Sequence, residues 1–228
     1  MKNENSPGEE GFTVKFYRYS FDLVGKDLLA SQNGAYELGR LSVSQRRGII
    51  TLLPKDDSEL LLLQNWRPIT LLNVDYKIAS KAIARRLEPI LSKLVHSDQT
   101  GFIKGRYIGG NVRLISDIME QTQANNTPGI LISVDFKKAF DSLEWPCIQS
   151  ALKKFNFGDS LREWIEIFYM DIESAALNKG FARQGCPLSP YLFILTAEIL
   201  SNKVRQSSII KEIRVFGSVI KLWKSTNN

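Results

Sequence analysis

Residues 129–143 read GILISVDFKKAFDSL and set a short apolar run directly against a carboxylate. Pro128-Gly129 is a turn signal. Ile130, Leu131, Ile132 and Val134, with only Ser133 among them, have the composition of a buried strand. The run stops at Asp135, so its carboxylate is expected at a strand mouth, held rigidly yet within reach of solvent or a cation. The commoner use of a single Asp in such a place is to cap the following turn. That use suits Asp141. For Asp135, a cap and a cation ligand both stay open on this stretch alone.

The chain has 228 residues, enough for one sizeable domain or two intimately packed subdomains. Its formal net charge of +6 favours acidic partners, nucleic acid first, although the excess is modest. Two cysteines, Cys147 and Cys186, exclude a disulfide scaffold and a four-cysteine zinc site, and fit a reducing compartment. His96 is the single histidine and no nucleophile motif accompanies it, so a loop or surface position is expected. The N-terminal MKNENSPGEE lacks the apolar core of a signal peptide. The longest strongly apolar piece, Leu60 to Leu63, is far short of a membrane span. An intracellular location, in cytoplasm or nucleus, with no membrane partner, is the expectation.

Residues 1–11 read as a linker or domain edge. From Phe12 to about Leu38, aromatic and aliphatic residues at helical spacing predict two short helices broken near Gly25, with the aromatics packed in the core. Residues 48–53 predict a strand ended by Pro54. A second extended piece begins near Asn65, because Pro68 disfavours helix at Arg67. A hairpin of the two presents Lys55 and Arg67 together. Asn73 is the expected cap of a helix running to about Val95, with Ile78, Ala82, Leu87, Ile90 and Leu94 inward and Arg85, Arg86 and Lys93 outward. Such basic residues are usually solvated surface; with a nucleic-acid partner they become phosphate contacts.

The loop 96–110 offers Lys104 and Arg106 but matches no phosphate-binding glycine pattern. A helix is predicted over about Asn111 to Gln123. Two more follow Asp141, the first with Pro146 in its opening turn, the second capped by Asp159. Residues 172–178 read as extended. Ser189 and Pro190 open an apolar helix to about Val204. A hairpin closes the sequence: residues 213–216, a Gly217-Ser218 turn, and residues 219–223.

Three blocks occur in order: NWRPITLLNVDYKIASKAIARRL (65–87); DQTGFIKGRYI (98–108) with SVDFKKAFDSLEW (133–145); and RQGCPLSPYLFIL (183–195). Together they resemble the reverse transcriptases of LINE-type non-LTR retrotransposons, and the start SPGEEGF resembles that family's entry into the domain. The resemblance implies an α+β fold: right-hand polymerase fingers over residues 12–128 and an incomplete palm over 129–228, a small antiparallel sheet with packed helices and no thumb. It implies nucleotidyl transfer to a primer 3′ end on an RNA template, with DNA primer and dNTP as partners and Mg²⁺ as the cofactor.

Residue by residue, Asp135 matches the first metal-binding aspartate, and Phe136 offers its backbone carbonyl beside it. On that match the capping use of Asp135 is set aside. Phe140 matches a steric gate against a ribose 2′-OH, and a core aromatic is an equal alternative. Gln184 and Gly185 match the loop against the incoming nucleotide and template. Lys55 and Arg67 match basic fingers residues on the triphosphate. Lys104, Arg106, Arg85 and Arg86 are weaker matches for the nucleic-acid backbone.

The sequence also departs from the family. A Tyr- or Phe-Ala-Asp-Asp turn is expected after a strand such as 219–223, yet no Asp or Glu follows Glu212. Residues 179–183 are too short for an expected strand and turn, as in an internal deletion. The expectation is a reverse-transcriptase fragment that does not extend primers by itself. A non-catalytic primer–template binding remnant and an unstable decayed fragment are the alternatives.

Overall fold

The computed structural model describes residues 1, 3–55, 61–62, 65–126, 131, 136, 139, 143–174, 185–208, 210–215 and 218–223. The elements, in order, are α1 (Val14–Tyr19), α2 (Phe21–Glu37), α3 (Val43–Arg46), β1 (Arg47–Pro54), β2 (Trp66–Leu72) and α4 (Val74–Leu94). After them come α5 (Gly109–Ala124), α6 (Trp145–Lys154), α7 (Asp159–Tyr169), β3 (Glu173–Ser174), α8 (Ser189–Gln206), β4 (Ile210–Val215) and β5 (Ser218–Trp223). This is a mixed helix and strand fold with small sheets.

β1 and β2 form the expected antiparallel hairpin, in register from Gly48 opposite Leu72 to Pro54 opposite Trp66. β3 lies parallel to the other edge of β1, with Arg47 opposite Glu173 and their side chains paired at 3.2 Å. β4 and β5 form a separate antiparallel pair where the closing hairpin is expected, but β4 begins earlier, with Ile210 opposite Trp223, and Ser218 lies in β5 opposite Val215 and not in the turn.

The core lies among α4, α6, α7 and α8, where Tyr76, Leu87, Ile148, Phe168, Leu192 and Leu195 are fully buried. The phase of α4 differs from the expected one. Tyr76, Ser80, Ile83, Ala84, Leu87 and Leu91 face the core, while Ala82 and Ile90 are exposed. Two hydroxyls enter the core because each finds an acceptor: Tyr76 donates to the Phe168 carbonyl at 3.2 Å and Ser80 to the Tyr76 carbonyl at 2.9 Å.

The N-terminal helices break at Ser20, not near Gly25. The Ser20 hydroxyl and amide both bond the Phe16 carbonyl, at 2.7 and 2.9 Å, and end α1 there. Gly25 lies inside α2, where a Cβ would sit 3.3 Å from the Phe21 ring. Of the aromatics of this region, Tyr36 packs against the core and stacks on Trp164, with centres 5.1 Å apart, but those nearer the N-terminus are not core residues. Tyr19 is 88% and Leu23 82% exposed, and Phe12, Phe16 and Tyr17 pack on one another instead, Phe12 and Phe16 with ring centres 4.7 Å apart.

The segment expected as a linker is anchored to the N-terminal end of α4. Gly8 packs so closely there that a Cβ would lie 2.2 Å from Asn73 Oδ1 and 2.5 Å from its backbone nitrogen. Asn73 holds the expected N-cap position, but its side chain makes no cap bond. Its Oδ1 instead accepts the Glu10 amide at 3.2 Å, and its Nδ2 donates to the Ser44 carbonyl at 2.9 Å. Two other caps also shift by one residue. Gly158, not Asp159, caps α7, and Leu188 precedes α8 because the Ser189 hydroxyl is engaged by Tyr169 at 2.9 Å.

Asp75 sits in the first turn of α4, nearly buried, and accepts the Tyr76 amide at 2.7 Å. Burial lifts its carboxyl above the ordinary value of 3.8, against the pull of hydrogen bonds from the Tyr76 amide and the Gln45 side chain.

Asn73→Ala removes two part-buried hydrogen bonds, to the Glu10 amide and the Ser44 carbonyl, and is expected to cost about 2 kcal/mol in urea unfolding. Because the folded state favours neutral Asp75, its favourable contribution is complete below the ordinary value and is lost as pH rises through the higher folded value. Asp75→Asn is therefore expected to raise the melting temperature at neutral pH and to give no gain near pH 3; equal effects at both pH values would contradict the burial argument.

Candidate nucleotide and nucleic-acid site

The hairpin register fixes which side chains share a face. Leu53 lies opposite Arg67, and the Lys55 amide bonds the Asn65 carbonyl at 2.8 Å, extending the pairing by one step. Opposed residues, and residues two apart, point to the same face. Lys55 and Arg67 are thus diagonal neighbours on one face of the hairpin, both exposed.

Gly185 lies against the backbone of β2. A Cβ on it would be 2.4 Å from the Thr70 carbonyl oxygen, and its φ of +109° is one that side-chain-bearing residues rarely adopt. Thr70 is three residues from Arg67, so the turn meets the hairpin about 10 Å along the strand from the Arg67 backbone. The turn is also held from behind. Cys186 Sγ lies 3.3 Å from the Tyr76 hydroxyl and 3.5 Å from that of Tyr169, which in turn bonds Ser189 Oγ. Burial and the neighbouring Cys186 push the Tyr169 phenol well above its ordinary value, so it stays neutral and able to donate.

The ring of Phe136 meets Phe193 of α8 edge-on, with centres 5.7 Å apart. The residue after Asp135 is thereby tied to the helix that follows the Gly185 turn. Asp135, Phe140 and Gln184 lie outside the described residues. Among the described residues no group of three or more His, Cys, Asp or Glu side chains is placed to hold a metal ion. They do not form a magnesium site, and that expectation rests on Asp135.

The remaining basic residues divide into two kinds. Arg85, Arg86 and Lys104 are exposed. Arg106 is part-buried and engaged within the chain. Its guanidinium donates to the carbonyls of His96, Gln99, Ser92 and Val95, at 2.5, 2.7, 2.9 and 2.9 Å, and so closes the C-terminal end of α4. Arg205 plays a similar internal part. It joins Asp98 at 2.8 Å and Asn202 at 3.0 Å, and pairs with Glu198, whose side chain is only 2% exposed. His96, as expected, is a surface residue, 3.0 Å from Asp98. Sequence reasoning missed the tyrosine pair and Arg205; nothing local in the sequence marks either as a contact between distant segments.

The sequence pattern of the reverse transcriptase family, RNA-dependent DNA polymerase, matches residues 53–216. The chain belongs to this family. It is 34% identical over 209 residues to an uncharacterised 149 kDa protein of transposon TX1 from Xenopus laevis, covering 87% of this chain and 16% of that protein. It is 29% identical over 159 residues to a Pol polyprotein of the type-1 retrotransposable element R2 of Popillia japonica, covering 63% and 21%. To the Pol polyprotein of the type-2 element R2DM of Drosophila melanogaster it is 24% identical over 212 residues, covering 86% and 19%. The chain therefore spans about a fifth or less of these relatives, and it is a reverse transcriptase domain of non-LTR retrotransposon type. Among the described residues, no helix of this reverse transcriptase domain is long and apolar enough to cross a membrane.

Gly185→Ala combines an unfavourable φ with a clash against fixed backbone, and is expected to cost about 1–3 kcal/mol in urea unfolding. A neutral substitution there would mean that the turn does not rest on β2.

Proposed function

We propose that the face of the β1–β2 hairpin carrying Lys55 and Arg67, with the turn at Gly185 seated on β2, is the nucleotide-facing wall of a reverse-transcriptase site. The observation that supports this most directly is the register, which puts both cations on one face of the strand pair that Gly185 abuts. Lys55 and Arg67 would grip the triphosphate, Arg by charge-assisted pairs in its fixed fork. Gln184 and Gly185 would lie against the incoming nucleotide and template. Asp135 is the metal-holding carboxylate that the family match assigns, with the Phe136 carbonyl beside it. Phe140 screens the sugar or packs in the core. Arg85, Arg86 and Lys104 suit contacts to the nucleic-acid backbone.

In the same reading, residues 12–128 are fingers, residues 129–228 part of a palm, and residues 1–11 the edge of the domain. The substrates are an RNA template, a DNA primer and a dNTP. The family reaction transfers a nucleotide to the primer 3′ end, and divalent metal supplies charge neutralisation at the transferred phosphoryl group. The 228 residues by themselves hold primer–template without extending it, since no Asp or Glu follows Glu212 to join Asp135. The core joining α4, α6, α7 and α8 supports a folded binding domain over a collapsed remnant.

An RNA–DNA primer–template is expected to bind with an affinity that falls linearly in log–log salt titration, and the pair Lys55→Ala with Arg67→Ala to weaken it by about tenfold at low salt. Primer extension with Mg²⁺ is expected to give no product; product that disappears in Asp135→Ala would overturn the non-extending reading.

A further inference from the structure

A closed path of contacts runs through the site. It leaves Thr70, follows the chain through Asn73 to Tyr76 at the start of α4, crosses to Cys186 at 3.3 Å, and returns through Gly185 to the Thr70 carbonyl. Tyr169, at the end of α7, braces the same crossing from the other side, bonding Ser189 at 2.9 Å and lying 3.5 Å from Cys186. Tyr76, Tyr169, Cys186 and Ser189 are all buried, so the crossing is shielded from competing water. The turn is closed on itself as well, with the Ser189 amide bonded to the Cys186 carbonyl at 3.3 Å.

We propose that Tyr169 is a positioning residue: through Ser189 and Cys186 it presses Gly185 onto β2 and makes the hairpin and the turn one rigid wall for the nucleotide end of a primer–template. The assignment of that ligand rests on the preceding reading; the mechanical coupling does not. Gly185 is one peptide from Cys186, so holding the sulfur between two tyrosines limits where Gly185 can lie. β2 is an edge of its sheet among the described strands, with β1 on one side, so contact from the turn steadies its other side. Loss of the Tyr169 hydroxyl removes the brace and keeps the ring, which stacks on Trp145 with centres 5.3 Å apart.

The test is hydrogen exchange on the full chain, with Tyr169→Phe and Ser189→Ala removing the same bond from opposite ends. Ile148→Val, in the core of α6, serves as a control for general loosening. In both test variants, the amides of Gly185, Cys186, Leu188 and Ser189 and those of β2 are expected to exchange about fivefold faster, with α6 unchanged, and primer–template affinity in chloride buffer to fall about fivefold. The control is expected to leave β2 exchange and affinity as they are. Unchanged β2 exchange in either folded test variant overturns the coupling. Absence of primer–template binding by the unaltered chain overturns the ligand reading alone, and the exchange data then still decide the brace.

Discussion

The side-chain amide of Asn73 is the fixed point on which this fold depends. It is buried where β2 becomes α4, and it bonds a backbone amide from the N-terminal segment and a backbone carbonyl from α3. Three stretches distant in sequence are thereby held at one strand end. β2 cannot slide along β1 without breaking those bonds, and a slip by one residue would turn Arg67 to the opposite face. The placement of the basic pair is therefore set near Asn73, several residues away, more than by the hairpin tip.

Much of the architecture could be read from local chemistry. Pro54 and Pro68 mark the hairpin, the ordered blocks mark the family, and α5, α6, α7 and α8 fall within a few residues of where periodicity puts them. The errors have a common physical cause. A polar side chain belongs in the core when a partner arrives from elsewhere in the chain, and hydropathy has no knowledge of that arrival. Tyr76 and Ser80 entered the core on those terms and rotated the inward face of α4. Conversely, Phe12, Phe16 and Tyr19 looked like core residues and stay near the surface, because no neighbouring element among the described residues covers them.

Net charge was likewise a coarse guide. Arg106, Arg205 and Arg46 are committed to carbonyls and carboxylates of the chain itself. Their contribution to the +6 total is architectural. The exposed basic residues include Lys55 and Arg67 on the hairpin, Arg85 and Arg86 on α4, and Lys104 in the following loop. A guanidinium satisfied by four carbonyls offers little to a phosphate, whereas an exposed one exchanges only water.

The helix α5 contains no buried residue, and Ile108, Val112, Ile115 and Met119 recur along it at helical spacing, all exposed. That ridge governs which salts suit work with this domain. Sulfate and phosphate strengthen apolar association while chloride does so far less. A titration in ammonium sulfate therefore changes the strength of apolar association as well as the screening of phosphate contacts, whereas one in chloride tests the screening more nearly alone.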